Sequence, residues 1–504
     1  MPVAHLTVDQ QFTVGPINRR LFGSFVEHLG RCVYDGIYEP NHNSADEEGF
    51  RRDVIELVKE LGVSMIRYPG GNFVSGFRWE DSVGPKGQRP RRLDLAWHST
   101  ETNEVGMHEF ASWLTKVGSD MMLAVNLGTR GTSAALDLLE YSNISAGTAL
   151  SERRIANGRT EPFGIKMWCL GNEMDGPWQL GHCSADDYGK IALQTANALR
   201  QIDPSVELVV CGSSSAHMPT FGSWERVVLE HTYDAVDFIS CHAYYEEKNG
   251  DLASFLGSAV DMDHFIESVI ATADHVKAAT GSKKTMNISF DEWNVWYLSR
   301  FRNIDKIVGV ENWPIAPRLL EDHYSVADAV VFGSLLISLL KHADRVTSAS
   351  LAQLVNVIAP IMTEPGGPAW RQTTFYPFAL TSRLANGVSL EVKLDSSTYE
   401  TKDYGSIAEV DAVATHDAKS GAAAVFLVNR SQIEPALVTI DVSSLGIVKI
   451  ESVDTLSDDD PYAKNTLHDQ NRVKLLTNTS ASMTAGVVTI ALPPISWTAL
   501  SLVR

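Results

Sequence analysis

Residues 165–173 read Ile165-Lys166-Met167-Trp168-Cys169-Leu170-Gly171-Asn172-Glu173. A short, nearly continuous apolar run ends in a glycine, an amide and a carboxylate. Such a run suits a strand covered on both faces, as parallel strands under helices are. Polar groups directly after it stand at the strand's C-terminal end, where α/β proteins place their binding and catalytic groups.

Seven further runs have the same character. Leu21–Val26, Ser64–Tyr68 and Met121–Val125 precede it, and Leu208–Cys211, Phe238–Cys241, Met286–Phe290 and Ala349–Leu354 follow. Helical patterns lie between them at Phe50–Leu61, His108–Val117, Asp186–Ile202, Asp263–Ala279 and Tyr324–Ala343. In the first of these, Val54, Ile55, Leu57, Val58 and Leu61 recur at helical spacing. Strand then helix, eight times over, predicts a (β/α)8 TIM barrel over residues 15–384. The stretch Thr129–Pro162 adds material beyond a minimal barrel.

The pattern changes near residue 385. Short alternating runs such as Ala423–Val428, Ala436–Val442 and Val487–Leu492 replace the helix patterns. They predict a jelly-roll-like β-sandwich over 385–504. The N-terminal stretch 1–14 also alternates and is expected to join that sandwich. Two domains suit a chain of 504 residues, which is too long for one ordinary core.

Acidic residues outnumber basic ones, 62 to 42, for a formal charge of −20. That balance repels phosphate backbones and anionic membrane surfaces, so neither nucleic acid nor membrane is an expected partner. A neutral sugar polymer is compatible with it. No run approaches the ~18 apolar residues of a membrane helix. Met1–Thr13 lacks the basic start and apolar stretch of a signal peptide. The five cysteines, Cys32, Cys169, Cys183, Cys211 and Cys241, are odd in number and scattered, which fits reduced thiols in a cytoplasmic protein.

Polar groups follow seven of the eight runs. They are Glu27-His28, Gly70-Gly71-Asn72, Asn126, Gly171-Asn172-Glu173, His242 with Tyr244 and Tyr245, Asp291-Glu292-Trp293-Asn294, and Gln353 with Asn356. Together they predict one polar pocket at the barrel mouth. Two carboxylates from different strands, Glu173 and Glu292, suit glycoside hydrolysis. One protonates the leaving oxygen, and the other attacks the anomeric carbon or activates water. Trp178, Trp293, Trp296 and Tyr297 offer rings for stacking on sugars. Glu27 has a plainer reading as the counter-charge of Arg67, and His242 as a supporting histidine. Gly70-Gly71 reads as a tight turn, since no Lys-Ser/Thr follows to complete a phosphate loop. His28 and Cys32 lack a second ligand pair, and neither metal nor cofactor is expected.

Several blocks carry a resemblance. Trp168-Cys169-Leu170-Gly171-Asn172-Glu173 resembles the Asn-Glu acid/base motif of a large clan of barrel glycosidases. Phe22-Gly23-Ser24-Phe25-Val26-Glu27-His28, Arg67-Tyr68-Pro69-Gly70-Gly71-Asn72-Phe73, Asp291-Glu292-Trp293-Asn294-Val295-Trp296 and Leu351-Ala352-Gln353-Leu354-Val355-Asn356 resemble glycoside hydrolase family 51, in order and spacing along nearly the whole chain. The resemblance implies a retaining, exo-acting α-L-arabinofuranosidase with Glu173 as acid/base and Glu292 as nucleophile. It implies substrate contacts from Glu27, Asn72, Asn172, Tyr244, Gln353, His242, Trp97 and Trp296, with Tyr244 holding the nucleophile. The partner would be an arabinose-containing oligo- or polysaccharide, and the assembly a homo-hexamer. The competing readings are an endo-glucanase or xylosidase on the same barrel and a non-catalytic carbohydrate-binding protein. A metal-dependent barrel enzyme would need a ligand cluster that the sequence does not display.

Overall fold

The computed structural model describes residues 2–302 and 306–504. Met1, at the head of the alternating N-terminal stretch, lies outside them. Each of the eight apolar runs overlaps a barrel strand. They are Gly23–Phe25, Met65–Tyr68, Asp120–Ala124, Met167–Leu170, Glu207–Val210, Phe238–Tyr245, Asn287–Val295 and Val346–Ala352. They pair in parallel, in chain order, and the eighth closes on the first. Met65, Met122, Met167, Cys169, Val209 and Phe238 fill the barrel interior as a plug of apolar side chains.

The helices follow their apolar stripes. Arg52–Leu61 buries the five residues expected of it and stops at Gly62 in the left-handed conformation. Ala185–Ile202 starts at Ser184, whose hydroxyl accepts from the Asp187 amide. Val326–Lys341 differs, because residues 326–340 are buried all round. Its position explains this: it packs on the seventh and eighth barrel strands on one side and on the C-terminal sheet on the other.

The C-terminal strands form one ten-stranded sheet. Val453, near one end of the strand order, and Ile490, near the other, belong to the same apolar core. The sheet is therefore rolled on itself, and both layers of the sandwich are one hydrogen-bonded sheet. The N-terminal strand Val3–Pro16 lies inside it, antiparallel to Val388–Ser396 and parallel to Ala436–Asp441. Its alternation puts Ala4, Leu6 and Val8 into that core. The opposite face contributes Phe426, Val428, Trp497 and Ala499 to the barrel's own core. Across this contact, Asp411 accepts from Lys341 Nζ (2.5 Å) and Arg430 Nη2 (2.7 Å); the carboxylate and Arg430 are buried, and Lys341 is partly exposed.

Candidate active site

Glu173 stands three residues past the fourth strand, with φ of 43°. Few residues with a Cβ adopt that conformation, and such strain concentrates at functional positions. The turn presents its carboxylate to two donors. Trp178 Nε1 donates to Oε2 (2.6 Å), and His242 Nδ1 lies 2.8 Å from Oε1.

Glu292 reaches the same point by a bulge. On the seventh strand, Ser289 pairs with Ser240 and Glu292 with His242, so three residues span what two span on the neighbour. A bulge breaks the inside–outside alternation and re-aims a side chain. Here it lets two consecutive carboxylates face the barrel interior. Asp291 accepts from Ser289 Oγ and lies 3.9 Å from Arg67 Nε. Glu292 accepts from Arg67 Nη1 (2.7 Å) and Tyr244 Oη (2.6 Å). His242 Nδ1 lies 3.6 Å from Glu292 Oε2, which places the imidazole between the two glutamates. Oxygens of Glu173 and Glu292 and a nitrogen of His242 lie within 4.8 Å of one another.

This crowding sets the charge states. Burial pushes the Glu292 carboxyl up, but the His242 and Arg67 charges, with hydrogen bonds from Tyr244 and Arg67, hold it below its ordinary value. Burial disfavours the charged form of His242, but the Glu292 charge, with the hydrogen bond and charge of Glu173, raises it. Among the described residues, Glu173, His242 and Glu292 are also the one group of three or more such side chains close enough to hold a metal ion.

The expected binding residues gather around this pair. Asn172 accepts from Arg67 Nη2 (2.6 Å) and donates to Asn72 Oδ1 (3.2 Å). Glu27 accepts from the Phe73 amide and from Trp97 Nε1, each at 2.8 Å, and from Gln353 Nε2 at 3.3 Å. Gly71 makes room for it, since a Cβ there would lie 2.8 Å from the Glu27 carboxylate. Burial, aided by the Glu292 and Asp94 charges and opposed by those donors, raises the Glu27 carboxyl to about 8. Trp296 packs edge-on against Tyr244 at 5.0 Å.

Other residues take different places. Glu27 does not neutralise Arg67, whose charge goes to Glu292 and Asp291. His28 sits between Glu101 (2.8 Å) and Tyr68 (2.9 Å), away from Cys32. Asn126 organises its own loop through Thr129, and Asn356 ties Arg31 to Thr363. Trp293 is fully buried against Phe332, and Tyr297 donates to Asp328. All five cysteines are free thiols. Sequence reasoning missed the central part of Arg67. The signal was present as a cation inside the apolar strand Met65-Ile66-Arg67-Tyr68. It also missed Phe301, whose ring meets both Trp97 and Trp296 and carries no such signal.

Comparison with known proteins decides the family. The α-L-arabinofuranosidase 1 domain matches residues 57–251, and the α-L-arabinofuranosidase C-terminal domain matches 291–496. A solved family 51 α-L-arabinofuranosidase from Bifidobacterium longum is 50% identical, covers 100% of both chains and superposes with a TM-score of 0.96. The chain belongs to the α-L-arabinofuranosidases of glycoside hydrolase family 51. This family 51 chain is also 62% identical to an exo-α-(1→6)-L-arabinofuranosidase of Bifidobacterium longum, over 99% of its length and 97% of that protein's. It is 50% identical to an intracellular exo-α-(1→5)-L-arabinofuranosidase of Bacillus subtilis, over 100% and 99%. No helix among its described residues is long and apolar enough to cross a membrane.

Proposed function

We propose that Glu292 is the nucleophile and Glu173 the acid/base of a retaining, exo-acting α-L-arabinofuranosidase. The substrate class is terminal non-reducing α-L-arabinofuranosyl residues of arabinan, arabinoxylan or arabino-oligosaccharides. The observation that carries this reading is that an oxygen of each of the two carboxylates lies within 4.8 Å of the other. Retaining glycosidases hold theirs about 5–5.5 Å apart, whereas inverting ones leave about 6.5–9.5 Å for a water.

The geometry supports each step of this reading. Arg67 and Tyr244 keep Glu292 ionised and aimed, so its carboxylate attacks the anomeric carbon. Glu173 gives its proton to the departing glycosidic oxygen. Esterified Glu292 loses its charge, and Glu173, now ionised, takes a proton from the water that attacks the same carbon. The C–O bond to Glu292 breaks and the original configuration returns. Glu27, Asn72, Asn172, His242, Gln353, Trp97 and Trp296 surround the sugar in this scheme. Asn172, oriented by Arg67 and Asn72, is placed to bind a sugar hydroxyl.

The same reading divides the chain into a catalytic barrel, 15–384, and a C-terminal sandwich, 385–504, completed by strand 1–14. It places the enzyme in the cytoplasm as a homo-oligomer, a hexamer by family resemblance, which light scattering measures directly. A panel of aryl glycosides tests the activity. Turnover of the α-L-arabinofuranoside alone, with the first-formed sugar retaining configuration by NMR, is the expected result. An inverted first product, or preference for a glucoside or xyloside, would overturn it.

A further inference from the structure

The sandwich sends a two-stranded hairpin, Thr398–Thr401 and Gly405–Ala408, out of its main sheet and onto the barrel. The contact is specific. Ser254 Oγ accepts the amides of Lys402 and Asp403 at the hairpin tip, and Tyr399 Oη donates to the Ala253 carbonyl. Gly257 permits the approach, because a Cβ there would lie 2.6 Å from Ile407 and 3.1 Å from Tyr404. Core packing of the sandwich does not require this excursion.

The hairpin closes one side of an open cleft. Tyr404 and Asp403 face the end of the sixth barrel strand, at Tyr244 and Tyr245, and the loops after the fifth and sixth strands, at His217 and Glu246. Asp261 lies at its base, where it accepts from Tyr245 Oη (3.1 Å) and stands 4.0 Å from His217 Nε2, wider than a hydrogen bond. Glu246 is held by Ser299 Oγ (2.7 Å), from the segment just past Trp296. The cleft therefore adjoins the catalytic mouth. Tyr244 lines it and also donates to Glu292.

Its chemistry selects a ligand class. Carboxylates and tyrosine hydroxyls accept and donate to sugar hydroxyls, and the tyrosine rings supply apolar faces. Glu246, Asp251, Asp261 and Asp403 outnumber Lys248 in the lining, and this net acidic balance disfavours anions. Among the described residues its carboxylates do not gather into a three-ligand metal cluster.

We propose that this cleft binds a neutral sugar unit of the chain from which arabinose is released, with the hairpin's Tyr404 as its outer wall. The sandwich domain thereby takes part in substrate choice. The inference rests on the arabinofuranosidase reading, and the test separates the two. Steady-state kinetics compare 4-nitrophenyl α-L-arabinofuranoside, which carries no further sugar, with linear arabino-oligosaccharides of increasing length. For Tyr404→Ala we expect kcat/KM on the longer oligosaccharides to fall about tenfold, the loss of one or two good contacts. The aryl substrate should stay within about twofold. His217 is exposed, so His217→Ala keeps the fold and should shift the same ratio in the same direction. If both variants treat the two substrate types as wild type does, or lose them equally, the cleft is not a sugar site. If wild type fails on the aryl arabinofuranoside, the arabinofuranosidase reading itself fails.

Discussion

Two buried ionic clusters in this molecule are built from the same residue types to opposite ends. At the barrel mouth, Glu173, Asp291 and Glu292 share one fixed cation, Arg67, and one histidine that can carry a proton. Between the domains, a single carboxylate, Asp411, takes two fixed cations, Lys341 on one oxygen and Arg430 on the other. Burial alone would raise the Asp411 carboxyl, but the Lys341 and Arg430 charges carry it down to about 2. Burial raises Asp291 and outweighs the Arg67 and His242 charges beside it. Carboxylates in excess of fixed cations leave a proton to be placed and moved. Cations in excess pin the carboxylate and leave it nothing to exchange. The first arrangement suits catalysis, and the second suits holding two domains in register.

Removing an anion from each cluster should therefore fail differently. The largest effect is expected from Glu292→Ala. Without the nucleophile no glycosyl-enzyme forms, and turnover should fall by at least about 10⁴-fold. Wild-type turnover in this variant would remove Glu292 from the mechanism. Glu173→Ala should split by leaving group. Dinitrophenyl arabinofuranoside needs no proton, so glycosylation survives and a burst of phenol precedes a slow steady state. Natural oligosaccharides should lose about 10³-fold, within the range for a positioned acid. Equal losses on both, without a burst, would leave Glu173 a structural role.

How far this contrast was legible in the sequence follows from its parts. All eight apolar runs became barrel strands because burial on both faces writes itself as continuous hydrophobicity. Glu173 and Glu292 were findable because each directly follows or ends such a run. The bulge was not legible. Strict alternation would send Asp291 and Glu292 to opposite faces, and only the pairing register shows that both turn inward. The clash between strand-end position and actual direction likewise misled for Trp293, which points into the core. Asp411 and Lys341 could not be paired by sequence, since 70 residues separate them. Nothing local marks a charge whose partner lies in another domain. The hairpin at 398–408 carries no local sign of its docking on Ser254, which is a tertiary event.

Asp411→Asn probes the second cluster. It leaves the buried Arg430, and the part-exposed Lys341, beside a neutral amide, a change that should cost at the lower end of the about 3–5 kcal/mol typical of breaking a buried pair. Denaturant unfolding should report it, while kcat on an aryl arabinofuranoside remains within about twofold below the melting range. Because the folded carboxyl lies below its ordinary value, its contribution is present above about pH 4 and fades as pH falls towards 2. The variant should lack that acid-side slope. An unchanged stability and slope would show that the pair of cations is satisfied without Asp411.

The smallest expected effect sharpens the comparison at its catalytic end. Glu27 is a carboxylate-bearing residue beside the first cluster, but no fixed cation serves it. Burial first, with the charges of Glu292 and Asp94, raises its carboxyl to about 8 against the pull of the Phe73 amide and Trp97. Below that value it is a neutral acid, which glutamine imitates in shape and charge. Glu27→Gln should therefore keep kcat/KM within about tenfold at pH 6, where the Phe73 and Trp97 donors still find a carbonyl-type oxygen. As pH rises through 8, wild-type Glu27 ionises and adds negative charge near Glu292, which disfavours a second nearby carboxylate. The wild-type profile should bend there, and the variant should lack that bend. Stability gives an independent reading. A carboxyl raised on folding contributes stability below about pH 4.5 that is lost as pH climbs to about 8, so Glu27→Gln should gain on wild type over that interval. A bend near pH 8 that persists in the variant, with no relative gain in stability, would mean that Glu27 is already ionised at neutral pH. The catalytic cluster would then carry one more fixed negative charge than the proton-sharing arrangement described above allows.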